Sequence, residues 1–217
     1  MQLPIPDRSV AGKWLAELLE DEPYIKDPIV LALPRGGVPV AYEIAKALQA
    51  TLDLILVRKL GAPHYPELAM GAIASGNIKF LNSQVINSYQ ITQDDIEKVE
   101  SQERQELERR EIAYRGNRPH LNLQNRNVII VDDGLATGST MYAAINAVQQ
   151  QSPNTITVAI PVAPPDTIAE IEKIVNRVIC PFQPYNLSSI GQWYEDFSQV
   201  SDDEVKQQLN RVWQVSI

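Results

Sequence analysis

Residues 128–141, VIIVDDGLATGSTM, combine an apolar run, two aspartates and a loop of small and hydroxyl residues within one short stretch. Residues 128–131 are all β-branched and apolar, which predicts a strand that is buried on both faces. The glycine, threonine and serine residues that follow predict a loop, and the next pattern predicts a helix over residues 141–150. A buried strand that leads through a short loop into a helix is the repeating unit of a parallel α/β sheet.

The loop after the two aspartates has the composition of a phosphate-binding loop. Backbone N–H groups at the start of the predicted helix attract an anion, and the hydroxyls of Thr137, Ser139 and Thr140 add further donors. Gly134 and Gly138 allow the backbone to approach a ligand closely. Because no lysine follows Gly138, the loop is not the Walker A loop of nucleotide triphosphatases.

Asp132 and Asp133 end the predicted strand directly beside this loop. Carboxylates repel a bare phosphate, but they accept hydrogen bonds from vicinal hydroxyls and favour a nearby Mg²⁺ ion. Successive strand residues point in opposite directions, so at most one of the two points straight into a phosphate pocket. The combination predicts a site for a sugar phosphate that carries a metal ion. The alternative is a strand followed by a capped helix, with the two aspartates as turn residues.

The rest of the chain repeats the alternation of strands and helices. Further apolar runs predict strands at residues 29–33, 52–57, 155–160 and 177–180. Helices are predicted between them, and a first helix begins after Asp7 or Ser9. We therefore predict an α/β fold, a central parallel sheet with helices on both faces. Ligands of such sheets bind beyond the carboxyl ends of the strands, which directs attention to the loops after Leu33, Val57 and Val131.

Two segments interrupt this alternation. Residues 68–82 predict a hairpin that turns near residues 75–77. Residues 92–115 predict one long charged helix, which Thr92 opens with Asp95 three positions later. Arginines and glutamates are interleaved along this helix, which indicates ion pairs on a helix surface and not a basic stripe for nucleic acid.

We expect a single domain over residues 1–217. Its core spans about residues 28–181, and an insertion that contains the long charged helix spans about residues 83–125. A small C-terminal hood and helix spans about residues 182–217.

Composition excludes several classes of protein. The formal net charge of -8 disfavours nucleic acid as a partner, and no run approaches the roughly 20 apolar residues that span a membrane. The first ten residues lack the pattern of a secretory signal, and a lone cysteine, Cys180, cannot form an internal disulfide, so a cytoplasmic location is expected. His64, His120 and Cys180 are too far apart in the sequence to predict a zinc site.

Three motifs, in the expected order, resemble those of the type I phosphoribosyltransferases. VIIVDDGLATGST is similar to the family's signature for phosphoribosyl pyrophosphate (PRPP), and closest to its adenine phosphoribosyltransferase form. LALPRGG, at residues 31–37, resembles the family's pyrophosphate loop, which implies a non-proline cis peptide between Pro34 and Arg35. RKLGAP, at residues 58–63, is similar to the opening of the mobile catalytic loop. The whole chain resembles a group of bacterial homologues that share a YRGNRP segment, here residues 114–119.

The resemblance implies a role for each matching residue. Asp132 and Asp133 would bind the ribose 2- and 3-hydroxyls, and Mg²⁺ would be held mainly by PRPP with no direct protein ligand. Arg58 and Lys59 would act with the pyrophosphate loop on the departing pyrophosphate, while the loop over residues 58–76 excludes water. The remaining contacts to PRPP would come from Arg35, Gly36, Gly37, Gly134, Ala136, Thr137, Gly138, Ser139 and Thr140.

The acceptor is less defined than PRPP. Ala136 stands where hypoxanthine-guanine members carry a catalytic aspartate, so the resemblance supplies no general base, although adenine members also have alanine there. Tyr185 and Trp193 are candidates to stack on a small nitrogenous base, with Tyr194 and Phe197 as alternatives. The resemblance implies transfer of the 5-phosphoribosyl group of PRPP to a nucleobase, as in purine salvage. It also implies a homodimer, because relatives of this fold commonly pair.

Two other functions remain open at this stage. The chain could be a regulatory protein that senses PRPP or a nucleotide and has lost turnover. It could also be a different α/β phosphate binder, such as a sugar-phosphate isomerase or a phosphatase. The pair Asp132 and Asp133 favours PRPP over the latter group, and the retained Arg35, Arg58 and Lys59 favour an enzyme over a sensor.

Overall fold

The computed structural model describes residues 3–22 and 25–213. Its strands, in chain order, are β1 (Ile29–Ala32), β2 (Thr51–Leu54), β3 (Val57–Ala62), β4 (Tyr65–Ala74), β5 (Ile78–Leu81), β6 (Asn127–Val131), β7 (Thr155–Ala159) and β8 (Arg177–Ile179). The central sheet is parallel throughout, with the order β2-β1-β6-β7-β8. The motif strand β6 therefore lies at its centre.

Helices cover both faces of this sheet. The α-helices of the described residues are α1 (Arg8–Glu20), α2 (Gly37–Ala47), α3 (Ser83–Ser88), α4 (Gln93–Arg115), α5 (Ser139–Gln149), α6 (Pro165–Glu172) and α7 (Asp202–Trp213). Of these, α3 and α4 pack against β3 and β4. In β1, Val30 and Ala32 belong to a core with α1, α2 and α7, whereas Ile29 and Leu31 belong to a second core with α5 and α6. This alternation is the pleat of a strand that is buried on both sides. The predicted α/β fold is confirmed.

The apolar run at residues 52–57 was expected to be one strand, and that expectation is wrong. β2 ends at Leu54 and β3 begins at Val57 in a different sheet. Ile55 and Leu56, between the two strands, are only 5% and 2% exposed. The run is apolar because it is buried where the sheets meet, and an apolar pattern alone cannot show where a strand ends.

A second, antiparallel sheet has the order β3-β4-β5. The hairpin predicted to turn near residues 75–77 is confirmed, since β4 pairs with β5 across that turn. Residues 58–76 were expected to form a loop, and this is wrong, because β3 pairs with β4 from Val57↔Ala74 onward. The segment that carries Arg58 and Lys59 is a β-hairpin that packs on α5.

The long charged helix forms as α4. Thr92 and Asp95 make the predicted capping box, with Asp95 N donating to Thr92 Oγ1 at 3.2 Å. Ile96 and Leu107 are buried where α4 packs against β3, and ion pairs line its outer surface. Each helix within the described residues is too short or too polar to cross a bilayer.

Candidate functional site

The two aspartates and the loop after β1 lie against each other. β1 and β6 are parallel neighbours, so their carboxyl ends meet at one edge of the sheet. The peptide between Pro34 and Arg35 is cis, as the resemblance implied. A Cβ atom on Gly36 would lie 2.0 Å from Oδ2 of Asp133, so only glycine allows this approach. The structure therefore brings together two of the three predicted segments.

The aspartate pair has an unusual electrostatic state. Asp132 Oδ1 accepts a hydrogen bond from the backbone N–H of Asp133 at 2.9 Å. Burial, and then the adjacent charge of Asp133, raise the pKa of the Asp132 carboxyl well above its usual value. Ionised Asp132 is thus disfavoured in the empty site. Hydroxyl groups of a ligand can donate hydrogen bonds to its oxygens and so offset the cost of burying the charge.

The loop that follows ends in the N-terminus of α5. Gly138 is the N-cap residue and has φ 70°, a left-handed conformation that glycine adopts readily. No side chain of the described residues caps this helix start, so its backbone N–H groups can serve an anion. The hydroxyls of Thr137 and Ser139 are 3.1 Å apart, and both residues are exposed with Thr140. Exposed hydroxyls beside a helix N-terminus are the groups that a phosphate cradle requires.

Arg35, in the loop after β1, forms a contact that the sequence did not predict. Its Nη1 lies 3.6 Å from Oδ1 of Asp202, at the start of α7. The same oxygen accepts from the hydroxyl of Tyr114 at 2.7 Å, and this hydrogen bond is the largest cause of a lowered Asp202 pKa. Burial and the Asp202 contact raise the pKa of Tyr114 to about 12. The side chain of Arg35 stays 38% exposed.

The side chains of Arg58 and Lys59 lie in different surroundings. Arg58 Nε donates to Glu103 of α4 at 2.6 Å. Lys59 lines a cavity of about 200 Å³ together with Ser139 and Tyr142 of α5, and its Nζ lies 3.1 Å from Glu67. Of the two cations, Lys59 is the one beside the phosphate cradle.

Arg8 belongs to the site, although no sequence pattern singled it out. Its Nε donates to Oδ2 of Asp133 at 2.7 Å, and its Nη1 donates to the carbonyl of Ser198 at 2.8 Å. The hydroxyl of Tyr194 donates to the carbonyl of Asp133 at 2.7 Å, and burial raises the pKa of that hydroxyl. The start of α1 and the segment before α7 thus both contact the centre of the motif. These contacts span 125 and 61 residues, and local patterns carry no such information.

The two candidates for a stacking aromatic differ in their surroundings. Tyr185 is 88% exposed. Trp193 packs in a small cluster with Ile5 and Tyr194, and its buried Nε1 has no hydrogen-bond partner among residues 3–22 and 25–213. Trp193 is therefore largely part of a core, whereas Tyr185 is free to contact a ligand.

The acidic side chains bear on how a metal could be held. Among the described residues, no group of three or more His, Cys, Asp and Glu side chains could hold a metal ion. Asp132 and Asp133 form a pair, and one oxygen of Asp133 already contacts Arg8. These residues fit a Mg²⁺ ion that arrives with a phosphorylated ligand better than a resident metal.

Together, the central parallel sheet, the glycine loop after β1 and the acidic strand end that leads into the N-terminus of α5 define the type I phosphoribosyltransferase fold. The sequence profile of the family described as "Phosphoribosyl transferase domain" matches residues 8–192. The chain belongs to this family.

Two solved structures are similar to this chain. The crystal structure of TT1426 from Thermus thermophilus superposes with a TM-score of 0.88 at 38% identity, covering 95% of this chain and 98% of that one. The AQ2163 protein from Aquifex aeolicus, with a TM-score of 0.51 and 13% identity over 85% of this chain and 78% of its own, shares the fold alone.

Two curated proteins of Mycobacterium tuberculosis are longer. "Putative phosphoribosyl transferase Rv0571c" of strain H37Rv and "Putative phosphoribosyl transferase MT0597" of strain CDC 1551 are each 41% identical over 205 residues. The match covers 94% of this chain but 46% of each relative, so the chain spans about half of their length.

Proposed function

We propose that this protein transfers the 5-phosphoribosyl group of PRPP to the nitrogen of a nucleobase or related heterocycle and releases pyrophosphate. The observation that carries the proposal is the contact of Asp133 with Gly36, which joins an acidic strand end to the glycine loop after β1. A ligand with vicinal hydroxyls between two phosphate groups matches this arrangement. Family membership supports the same chemistry.

In this proposal the cradle at residues 137–140 binds the 5-phosphate. The N–H groups at the start of α5 and the hydroxyls of Thr137, Ser139 and Thr140 donate to its oxygens. Asp132 and Asp133 accept from the ribose hydroxyls and so orient the sugar relative to the sheet edge. Gly134, Ala136 and Gly138 bring backbone close to the ligand.

The leaving pyrophosphate would lie over Gly36 and Gly37, where Arg35 can reach it. Lys59, on the face of the hairpin that meets α5, would supply a second positive charge. Such fixed charges stabilise the charge that develops on a leaving group. Mg²⁺, bound mainly by PRPP itself, would neutralise part of the pyrophosphate charge.

Acceptor recognition is proposed for residues 182–198, which act with the N-terminal segment as a hood over the site. Tyr185 is the more accessible aromatic for a base, and Trp193 would shape the floor of the hood. Ala136 supplies no proton acceptor, so a base that loses its proton readily suits this site. We further propose one domain, a cytoplasmic location and a homodimer.

A second candidate function, a sensor of PRPP or nucleotides without turnover, is favoured by one observation. Arg35 lies 3.6 Å from Asp202, Arg58 is paired with Glu103, and Lys59 lies 3.1 Å from Glu67, so all three cations expected at the leaving group contact acids. A sensor needs tight binding but little support for a departing pyrophosphate.

Pyrophosphate release from Mg²⁺-PRPP, measured across purines, pyrimidines and other nitrogen heterocycles, separates the two functions. The double variant Asp132→Asn, Asp133→Asn is the blank. Release that depends on one class of base and is lost in the blank supports the transferase. Saturable binding of PRPP without release from any base supports the sensor.

A further inference from the structure

The contacts of Arg8 assign it a part in ligand binding: we infer that Arg8 is a positioning residue that holds the Asp133 carboxylate in place for the ribose of the ligand. The inference rests on the proposed function, because it concerns how that site is built. Arg8 lies outside the three motifs that resemble the family, at the first position of α1.

Arg8 is held on three sides. Its Nε contacts Oδ2 of Asp133 at 2.7 Å, and its Nη1 donates to the carbonyl of Ser198. Its guanidinium carbon lies 3.9 Å from the centre of the Phe197 ring. A stacked guanidinium with two directed hydrogen bonds has a fixed orientation, so it fixes the carboxylate that it contacts.

This arrangement differs from that of an arginine that binds phosphate directly. The Arg8 side chain is 11% exposed, whereas that of Arg35 is 38% exposed. Two nitrogen atoms and one face of the Arg8 guanidinium are already engaged. Arg8 therefore acts through Asp133, and Arg35 is the arginine available to a phosphate group.

The position of the carboxylate needs such support. Asp133 follows Asp132 directly, and its Oδ2 is packed against Gly36 of the opposite loop. Repulsion between the two carboxylates would drive them apart, and the positive charge of Arg8 offsets it. With Oδ2 held by Arg8, the other oxygen of Asp133 is left to accept from a ribose hydroxyl.

The support depends on both ends of the chain. Ile5 N donates to the carbonyl of Trp193 at 2.7 Å, and Glu195 N donates to the carbonyl of Ile5 at 2.8 Å. This pairing holds the start of α1 beside residues 194–198, where Tyr194 donates to the carbonyl of Asp133. The ribose end of the site is therefore completed by the terminal segments, not by the signature alone.

The test compares Arg8→Gln, Arg8→Lys and a matched control, Arg118→Gln, in the full chain. Arg118 also stacks on an aromatic ring, that of Trp213 at 4.5 Å, but it is exposed and belongs to the segment after α4. Calorimetry gives the Kd of Mg²⁺-PRPP, thermal unfolding gives Tm, and pyrophosphate release gives kcat and KM.

We expect Arg8→Gln to weaken binding about 10- to 100-fold, the effect of losing a charge-assisted hydrogen bond. KM should rise more than kcat falls, because the ribose is held in both the ground state and the transition state. Arg8→Lys keeps the charge and should restore part of the affinity, and Arg118→Gln should bind as the wild type does.

Two outcomes overturn the inference while the proposed function stands. In the first, the wild type binds Mg²⁺-PRPP and the Kd of Arg8→Gln is within about twofold of the wild-type Kd. In the second, Arg8→Lys binds no more tightly than Arg8→Gln. If Arg8→Gln does not fold, Arg8→Lys decides alone. Its affinity should then fall below that of the wild type, and unchanged affinity counts against the inference. A wild-type protein that does not bind Mg²⁺-PRPP overturns the proposed function itself.

Discussion

Arg58 and Lys59 are neighbours in β3, and their side chains leave that strand on opposite faces. Arg58 contacts Glu103 of α4 at 2.6 Å, whereas Lys59 lines the cavity beside Ser139. The alternation of a strand makes this separation unavoidable. Two adjacent cations that resemble a catalytic pair therefore have different surroundings and should have different functions.

Replacing Lys59 should reduce activity, and replacing Arg58 should mainly reduce stability. We expect Lys59→Ala to lower kcat/KM about 100-fold, as when one fixed charge near a leaving group is lost. Arg58→Ala should lower the free energy of unfolding by up to about 1 kcal/mol, as for other partly exposed ion pairs. Glu103→Gln is the control and should behave as Arg58→Ala does. An Arg58→Ala variant with normal Tm and activity as low as that of Lys59→Ala contradicts this assignment.

Arg115, at the end of α4, should be critical for folding and not for chemistry. Its Nη1 contacts Oδ2 of Asp53 inside β2 at 2.8 Å, and the two side chains are 4% and 5% exposed. Arg115→Ala leaves a buried carboxylate unpaired, which costs about 3–5 kcal/mol. Urea denaturation measures this loss, and Asp53→Leu combined with Arg115→Met should recover much of it. A loss below about 1 kcal/mol in Arg115→Ala would contradict the buried pair.

We expect the Asp132 carboxylate to favour PRPP binding while it lowers the stability of the folded protein. Its folded-state pKa lies above the usual 3.8, so the folded protein binds this proton more tightly than the unfolded chain does. The contribution of this carboxyl to the free energy of unfolding is fully present below about pH 4, and it is lost as pH rises through the raised pKa.

Asp132→Asn should therefore raise Tm at pH 7, by about 2–4 °C for each kcal/mol of charge burial removed, while PRPP binding is lost. The Tm difference from the wild type should grow from acidic to neutral pH in thermal scans. Asp133→Asn is the control, and it should not gain stability because it gives up the contact with Arg8. A lower Tm for Asp132→Asn at pH 7 would count against the raised pKa.

Gly36 should tolerate no side chain. In Gly36→Ala the new methyl group would lie 2.0 Å from Oδ2 of Asp133, so the carboxylate or the loop must move. We expect PRPP affinity to fall at least about tenfold, because a displaced ligand group loses its hydrogen-bond geometry. Gly116→Ala is the control for ligand affinity: nothing lies within 4 Å of its Cβ position, so it displaces no ligand group. Because Gly116 has φ 58°, this variant should lose stability, and affinities are compared between folded proteins. Equal affinities of these two variants would show that the Gly36 contact is unimportant.

Local features of this chain were predictable from its sequence. Apolar runs with helical patterns between them predicted the parallel sheet, and Thr92 with Asp95 predicted the start of α4. The parallel sheet also directed attention to the loops after Leu33 and Val131, and the structure brings these two loops into contact. Each of these features is encoded within about twenty residues, or follows from the rule that parallel strands end at one edge.

Long-range partners were not predictable in the same way. Arg8, Asp202 and Arg115 make their contacts with residues far away in the sequence, and a single sequence does not record which pairs meet. The division of residues 52–57 between two sheets was missed because burial keeps the run apolar in either case. The least predictable part of the site is the surroundings of Asp133, which Arg8 and Tyr194 complete.

The central claim is that Asp132 and Asp133 bind the ribose of PRPP, and calorimetric titration of Mg²⁺-PRPP tests it most directly. Wild-type protein and the double variant Asp132→Asn, Asp133→Asn would be compared at the same pH and salt concentration. We predict saturable binding to the wild type and none to the folded variant. Binding of equal affinity to both proteins would contradict the account.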